Sequence, residues 1–364
     1  MGTSNPVKSW IFLYKMNVLY LHTNPCRTEI SDLIADIVTN IKSTDIHPFV
    51  INYLNFKFYS INKFHKIRKF IKENNIDIVH TYHYIDAYYI LKASFGLNVK
   101  VVFSCYSNDI PKGIYGNMYK KVISKVDAVI FQTEIHKKEF ISKQNNESIK
   151  YFTLYHGFSS ERLDNYEYKS LRDEFFIDDL RYLIGTLGDF SPKHDVMNVL
   201  KMVRKLRKSG RNFTCLISGA INDRYDSYFD ECKYYYLMQG LENYIVYVGD
   251  KNDHANYISQ LDAFVYHSDN EAVALPVIEA MMMGVNVIVN DSEMIKEITH
   301  NGKYATLYKT KDEVSFAEKT RDILLGLDDF KIIAETVKEE CRMIFSIEKH
   351  ISGLINIYNQ ININ

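Results

Sequence analysis

Residues 261–291 read LDAFVYHSDNEAVALPVIEAMMMGVNVIVND, and this order of residue types predicts a strand, a loop, a short helix and a second strand. Pro276 suits the first position of a helix, Gly284 suits its end, and β-branched residues follow. Two carboxylates stand out. Glu271 lies in the predicted loop, and Glu279 is expected in the first turn of the helix.

The positions of Glu271 and Glu279 indicate a ligand site, because ligands of parallel sheets bind at the carboxyl ends of strands, beside helix N-termini. Ionised carboxylates only accept hydrogen bonds, so this pair suits the hydroxyls of a sugar or ribose. Two other interpretations stay open. Glu279 could serve the helix dipole while Glu271 is a solvated loop acid. A hydrolytic acid/base pair would need a defined separation, which sequence spacing does not establish.

Length and composition favour a globular protein with two domains. The chain has 364 residues, of which 46% are hydrophobic and 24% charged. No apolar run approaches the ~18 residues that span a bilayer, and the N-terminal apolar stretch is too short for a signal peptide. We expect residues 1–15 to be a leader or remnant with little role in the fold. The five cysteines are scattered without a C-x-x-C pair, which favours reduced thiols and a cytoplasmic location.

Charge is divided unevenly along the chain. Residues 1–170 carry 22 Lys and Arg against 15 Asp and Glu, whereas residues 171–364 carry 22 against 30. The whole chain has a net charge of −1, and we expect no nucleic-acid partner. In segment 63–72 apolar residues and lysines occupy different faces of a predicted helix. We favour a helix that covers a sheet, and contact with an anionic membrane is the alternative.

Two series of short β-rich runs alternate with helical stretches, which predicts βαβ units and parallel sheets. The predicted strands are 17–22, 48–54, 76–80, 99–104, 128–132 and 151–155, then 182–187, 213–218, 244–249, 263–267, 285–290 and 304–307. The predicted fold class is therefore α/β, with one Rossmann-like domain at 16–170 and another at 171–345. We expect the final helix, within 346–364, to pack back on the first domain.

Polar residues follow most of these predicted strands, and two sheets that face each other by these edges would form a central cleft. His80 and His83 form an H-x-x-H pair at one such edge. This spacing is a weak metal signal, and we expect a role in the core or the cleft. We predict no metal site.

Segment 270–291 resembles the E-x(7)-E region of retaining family-4 glycosyltransferases, which have the GT-B fold. The residues that match the family pattern are Leu275, Pro276, Glu279, Ala280, Met281, Gly284 and Val287. Ala272 and Ala274 replace two glycines of the pattern, and Asn286 replaces a proline. Weaker similarities lie at 76–80, 126–134, 155–163, 183–195 and 295–302.

The resemblance implies roles for both carboxylates. Glu271 would contact the transferred sugar as the catalytic residue, and Glu279 would bind the ribose of a nucleotide-sugar donor. The backbone that would approach the sugar and its phosphates belongs to Asn270, Ala272, Val273, Ala274 and Leu275.

Residues 185–195 form a second candidate donor site. A turn at Gly188 follows a predicted strand, and nearby Lys193 could neutralise a diphosphate. Family members carry Arg where this chain has Asp189. Lys193 could act with helix dipoles alone, His194 could assist, or the loop could be repositioned. A simple helix-capping turn is the alternative.

On the acceptor side, family members have Gly-Gly after the first strand and a histidine after a later strand. This chain has residues 23–25 (TNP) and 106–109 (YSND) at those places. The resemblance implies retaining, metal-independent sugar transfer to a glycan or lipid-linked acceptor, at the inner face of a membrane or in the cytoplasm. A nucleotide-sugar-binding protein without transfer activity, or a GT-B epimerase, is the alternative.

Overall fold

A computed structural model describes residues 16–23, 28–41, 46–52, 62–108, 111–143, 146–221, 223–269 and 271–362. Two six-stranded parallel sheets, each flanked by helices, make up this part of the chain, which confirms the α/β prediction. Each predicted strand has a counterpart whose ends lie within two residues of the expected ones. Four predicted features lie outside the described residues: 1–15, 24–25, Asp109 and Asn270.

The first sheet has the strand order β2-β1-β3-β4-β5-β6. Its elements are β1 (Met16–His22), α1 (Thr28–Asn40), β2 (Ile46–Asn52), α2 (Lys63–Glu73), β3 (Ile78–Thr81), α3 (Tyr84–Ala93), β4 (Lys100–Cys105), α4 (Gly113–Ile123), β5 (Ala128–Phe131), α5 (Glu134–Lys143) and β6 (Lys150–Thr153). Strand β5 reads AVIF and is buried throughout, as expected where helices cover both faces of a parallel sheet.

The second sheet has the order β12-β11-β10-β7-β8-β9, and the short helices α6 (Ser160–Asp164) and α7 (Leu171–Glu174) precede it. Its elements are β7 (Tyr182–Leu187), α8 (Val196–Leu206), β8 (Phe213–Ser218), α9 (Asp226–Met238), β9 (Ile245–Tyr247), α10 (His254–Ser259), β10 (Ala263–Tyr266), α11 (Leu275–Met282), β11 (Asn286–Asn290), α12 (Glu293–Ile298), β12 (Thr306–Tyr308), α13 (Glu313–Leu325) and α14 (Leu327–Phe345).

The last helix, α15 (Ile347–Asn362), belongs to the core of the first sheet. Its apolar residues pack with Val18 and Tyr20 of β1, and the Tyr358 hydroxyl lies 2.6 Å from Nδ1 of His80. The Nε2 atom of His80 lies 2.8 Å from Ser104 Oγ. Burial lowers the pKa of His80 to about 3, so this histidine is a neutral core residue.

Helix α2 contributes its apolar side to the same core. Ile67 and Ile71 are buried there, and Phe64 and Phe70 pack against it. These side chains therefore face the sheet, as in the favoured interpretation of segment 63–72. No helix among the described residues is long and apolar enough to cross a bilayer.

Candidate active site

Glu271 lies just beyond β10, at the carboxyl end of the second sheet, and is 7% exposed. Its Oε2 atom accepts hydrogen bonds from the hydroxyls of Ser268 at 2.6 Å and Tyr266 at 3.1 Å. Its Oε1 atom lies 2.9 Å from His194 Nε2 and 3.6 Å from Lys193 Nζ. The carboxylate is therefore fixed in one orientation by groups from two strand ends.

His194 bridges two carboxylates. Its Nδ1 atom lies 2.5 Å from Oδ1 of Asp189, opposite the bond to Glu271. Burial alone would lower the pKa of His194, but hydrogen bonds and charge from Asp189 and Glu271 raise it to about 9. The ring is a cation at neutral pH, and both ring nitrogens donate.

The pKa values of the two acids move in the opposite direction. Burial favours the protonated form of Glu271, but His194, with smaller contributions from Lys193 and Ser268, holds its pKa below the ordinary value. The pKa of Asp189 is likewise lowered against burial, chiefly by His194. Both acids are thus ionised at neutral pH.

The turn at Gly188 lets His194 approach closely. Gly188 has a φ of +153°, and a Cβ atom there would lie 2.8 Å from Cγ of His194. Both the backbone conformation and the space require glycine. The predicted capping turn is present as well, since Asp195 caps α8 through Asn198 N.

Glu279 lies in the second turn of α11, because the helix already begins at Leu275. The prediction of a first-turn position was wrong by one residue, because the helix begins at Leu275 and not at Pro276. The Oε2 atom of Glu279 lies 3.0 Å from Nδ1 of His254, at the start of α10. Burial lowers the pKa of His254, but Glu279 outweighs this effect and raises it. Oε1 of Glu279 has no hydrogen-bond partner among the described residues.

The backbone between the two acids passes from the loop into the N-terminus of α11. Neither Ala272 nor Ala274 has a positive φ, so the two alanines adopt ordinary backbone conformations. Ala272 and Ala274 are buried, and Val273 and Leu275 are partly buried. A helix N-terminus at this place favours negatively charged ligand groups.

The first sheet faces this site with the ends of β4 and β5. Asn108 donates through Nδ2 to the carbonyl of Glu271 at 2.9 Å, and Thr133 Oγ1 donates to the carbonyl of Ala272 at 3.3 Å. A cleft of about 210 Å³ lies beside these contacts, and loops and helices that follow strands of both sheets line it. Among them are Asn108, His136, Glu139, Glu271 and Met294.

Glu297 of α12 joins the two halves on one side of the cleft. Its carboxylate accepts from the backbone N–H groups of Glu134 at 2.6 Å and Ile135 at 2.8 Å, at the N-terminus of α5. Oε1 also accepts from the Tyr155 hydroxyl at 3.1 Å. A carboxylate at a helix N-terminus is favoured by the helix dipole.

The candidate acceptor side has Thr23 where family members have glycine, and its side chains make other contacts. Thr23 donates through its N–H, at 3.1 Å, and through its hydroxyl to the carboxylate of Asp86. Burial raises the pKa of Asp86 to about 6, against the opposing effect of Thr23. The Tyr106 hydroxyl lies 2.9 Å from Nδ1 of His156.

The structure therefore brings Glu271, Lys193 and Gly188 together, and it places Glu279 in a separate pair with His254. Sequence reasoning treated Asp189 as a missing cation and did not pair it with His194. No local pattern in the sequence indicated this pair, because the contact depends on the geometry of the loop. Nothing local in the sequence pointed to Glu297, whose partners lie 142 to 163 residues away.

Two family profiles match the chain. The family described as "Glycosyl transferases group 1" matches residues 168–338, and "Glycosyltransferase Family 4" matches residues 29–162. Together these matches cover most of both sheets.

Two characterised relatives act in polysaccharide synthesis, according to their names. A lipopolysaccharide core biosynthesis mannosyltransferase of Rhizobium leguminosarum is 22% identical over 184 residues, which are 50% of this chain and 51% of that protein. The chain thus spans about half of that relative. A capsular polysaccharide biosynthesis glycosyltransferase of Staphylococcus aureus is 26% identical over 263 residues, 70% of this chain and 69% of that protein.

Solved structures share the fold. A glycosyltransferase from Rickettsia africae superposes with a TM-score of 0.79 at 19% identity, over 96% of this chain and 99% of that one. Anabaena HepE, in complex with UDP and glucose, has a TM-score of 0.77 at 16% identity, over 95% and 100% of the two chains. Such low identities establish the fold alone.

Proposed function

Since this chain belongs to the family-4 glycosyltransferases of the GT-B fold, we propose that it moves a sugar from a nucleotide-diphosphate donor to a hydroxyl, with retention of configuration. The observation that carries this proposal is the carboxylate of Glu271. It is buried, ionised and fixed by Ser268, Tyr266 and His194 at the edge that faces the other sheet.

The donor would lie along segment 270–291. Oε1 of Glu279 is available to accept from a ribose hydroxyl, while His254 occupies Oε2. The N-terminus of α11 would receive the phosphates, and the sugar would lie against Glu271. The sugar, the phosphates and the ribose would thus follow the chain from the loop into the helix. The resemblance to the family implies the same roles for Glu271 and Glu279.

Positive charge for the diphosphate would come from Lys193. Its side chain is 48% exposed and its Nζ is only 3.6 Å from Glu271, so it can turn toward a bound phosphate. His194 then keeps Glu271 paired when Lys193 moves away. We propose that no metal ion takes part in the transfer step, because side chains supply this charge.

During transfer the bond from the anomeric carbon to the diphosphate oxygen breaks, and the bond to the acceptor oxygen forms. The leaving phosphate takes the acceptor proton. Positive charge develops at the sugar, and the fixed carboxylate of Glu271 stabilises it without further reorganisation. The Glu297 contact would hold the two sheets close and limit the access of water.

For the substrates, the names of similar proteins supply the first candidates. HepE was solved with UDP, and the two relatives are named for lipopolysaccharide core and capsular polysaccharide. We propose a glycan or lipid-linked acceptor for bacterial surface polysaccharide, reached from the cytoplasm.

The test is a thermal-shift screen of nucleoside diphosphates, followed by product analysis by NMR with the best nucleotide sugar and a panel of glycan acceptors. A ligand at 100 times its Kd adds about 2.7 kcal/mol to the free energy of unfolding. A new glycosidic bond of retained configuration supports the proposal. Binding without turnover would indicate a binding protein, and a new nucleotide sugar formed without acceptor would indicate an epimerase.

A further inference from the structure

A cluster of side chains that could bind a metal ion lies beside the loop of Glu271. The side chains of Asp195, His267 and Asp269 converge at the ends of β7 and β10, and each offers one ligand atom within 4.8 Å of the others. Nε2 of His267 lies 3.3 Å from Oδ1 of Asp269 and 3.8 Å from Oδ2 of Asp195. None of these residues contacts the donor in the proposed mode of binding.

His267 is the unusual member, because its ring is completely buried and its Nε2 atom makes no hydrogen bond within the described part of the chain. Buried polar atoms are rarely left without a partner, since this costs about 1–3 kcal/mol. The atom points at the two carboxylates, which are 25% and 32% exposed and so open the cluster to solvent.

The other ring nitrogen of His267, Nδ1, has hydrogen-bond partners in the core. It lies 2.8 Å from the hydroxyl of Tyr308, which in turn donates to the carbonyl of Tyr266 at 3.4 Å. The side-chain amide nitrogen of Asn198 also lies 3.1 Å from Nδ1. In the tautomer that carries its proton on Nδ1, this proton is donated to the Tyr308 hydroxyl, and Nε2 has a lone pair that can bind a metal ion. Metal-bound histidines are usually oriented in this way, by a hydrogen bond from the second ring nitrogen.

We propose that Asp195, His267 and Asp269 bind a first-row divalent cation such as Zn²⁺. Two carboxylate oxygens and one imidazole nitrogen suit such an ion, whose bonds to these atoms are about 2.0–2.2 Å long. The distances from Nε2 of His267 to the two carboxylate oxygens are 3.3 and 3.8 Å. Only small movements are needed for all three atoms to bind one ion at these bond lengths. Water would fill the remaining positions on the solvent side.

Lys311 takes the place of the cation in the present arrangement. Its Nζ lies 3.1 Å from Oδ2 of Asp269, and its side chain is 69% exposed. An exposed ammonium is easily displaced, so Lys311 would move aside when the ion binds. It would also weaken the affinity through repulsion.

The ion would join two segments that support the donor site. Asp195 directly follows His194 and caps α8, whereas Asp269 lies between Ser268 and Glu271 on the next loop. The three ligands would then be positioning residues for the Glu271 loop. The inference does not rest on the proposed transfer reaction, because the ion touches no reacting atom.

Calorimetric titration of the untagged full chain with Zn²⁺ tests the proposal. Asp195→Asn and Asp269→Asn keep the side-chain shape, and Asn also tolerates the φ of +40° at position 195. Each should weaken Zn²⁺ binding by about 10-fold or more, as removal of a ligand charge predicts. His65→Gln, which changes an exposed histidine of α2, should leave the affinity unchanged.

Two further results complete the test. Lys311→Met should bind Zn²⁺ more tightly than the wild type. Mg²⁺ should bind to the wild type at least ~10-fold more weakly than Zn²⁺, because Mg²⁺ is a hard ion that prefers oxygen ligands to imidazole. Circular dichroism shows whether each variant is folded. Equal Zn²⁺ affinity in the wild type and in both folded Asp→Asn variants, or no Zn²⁺ binding by the wild type, would overturn the proposal.

Discussion

The protonated ring of His194 donates from Nε2 to Oε1 of Glu271 at 2.9 Å, so the charge of the buried carboxylate depends on a group that can titrate. Asp189 on the other ring nitrogen keeps the proton in place at neutral pH. Asp189, which replaces the phosphate-binding Arg of the family, therefore contributes to the same site by holding His194 against Glu271.

This bridge predicts a pH dependence with a defined sign. The pKa of His194 is about 9 in the folded protein and 6.5 ordinarily, so folding favours the protonated form. Its contribution to stability is complete below pH ~6.5 and is lost as the pH rises through about 9. Above that pH, Glu271 should also hold Lys193 more strongly and weaken donor binding.

The measurement is denaturant unfolding and donor affinity between pH 6 and 10, for the wild type and His194→Gln. The stability difference between the two proteins should shrink above pH 9, and only the wild type should lose donor affinity there. A loss of the same size in His194→Gln would assign the titration to another group.

Gly188→Ala should displace His194. The new Cβ would meet the ring at 2.8 Å in a backbone conformation that L residues rarely adopt, and we expect a loss of about 1–3 kcal/mol in the free energy of unfolding. Turnover should fall as well. Gly210→Ala is the matched control, because its φ is also positive, +72°, but nothing lies within 4 Å of the new atom. If both variants lost the same activity, the contact with His194 would not matter.

Glu279→Gln should chiefly weaken donor binding. The neutral amide cannot replace a carboxylate that accepts from both ribose and His254, so we expect a loss of about 1.5–3 kcal/mol in binding free energy. Calorimetry with the best nucleoside diphosphate measures this, and kcat at saturating donor should change little. Glu318→Gln, which changes an exposed acid of α13 outside the cleft, should bind as the wild type does.

Glu297→Ala should loosen the contact between the two halves. It removes the acceptor from two N–H groups of α5 and from Tyr155, each of which then needs water. Small-angle X-ray scattering should show a larger radius of gyration, and hydrolysis of the donor without acceptor should rise. Glu293→Ala, whose carboxylate pairs with Lys296 alone among the residues that the structure describes, should change neither. An unchanged radius in Glu297→Ala would show that the contact does not control closure.

The sequence predicted the architecture well because local patterns encode it. The β-branched runs and the turn residues define each βαβ unit, and even Gly284 ends its helix with the expected positive φ of +73°. The helical turn of Glu279 was predicted wrongly, because one residue decides where α11 begins. The pairs His194–Asp189 and Glu297–Ile135 depend on loop geometry and on contacts between the two halves, which no local pattern specifies.

The rate of sugar transfer by Glu271→Ala at saturating donor shows whether the fixed carboxylate stabilises the charge that develops at the sugar, with circular dichroism to show that the variant is folded. We predict a fall of about 100-fold or more relative to the wild type, as expected when one preorganised charged contact is lost. A folded Glu271→Ala protein that transfers sugar at the wild-type rate would contradict this prediction.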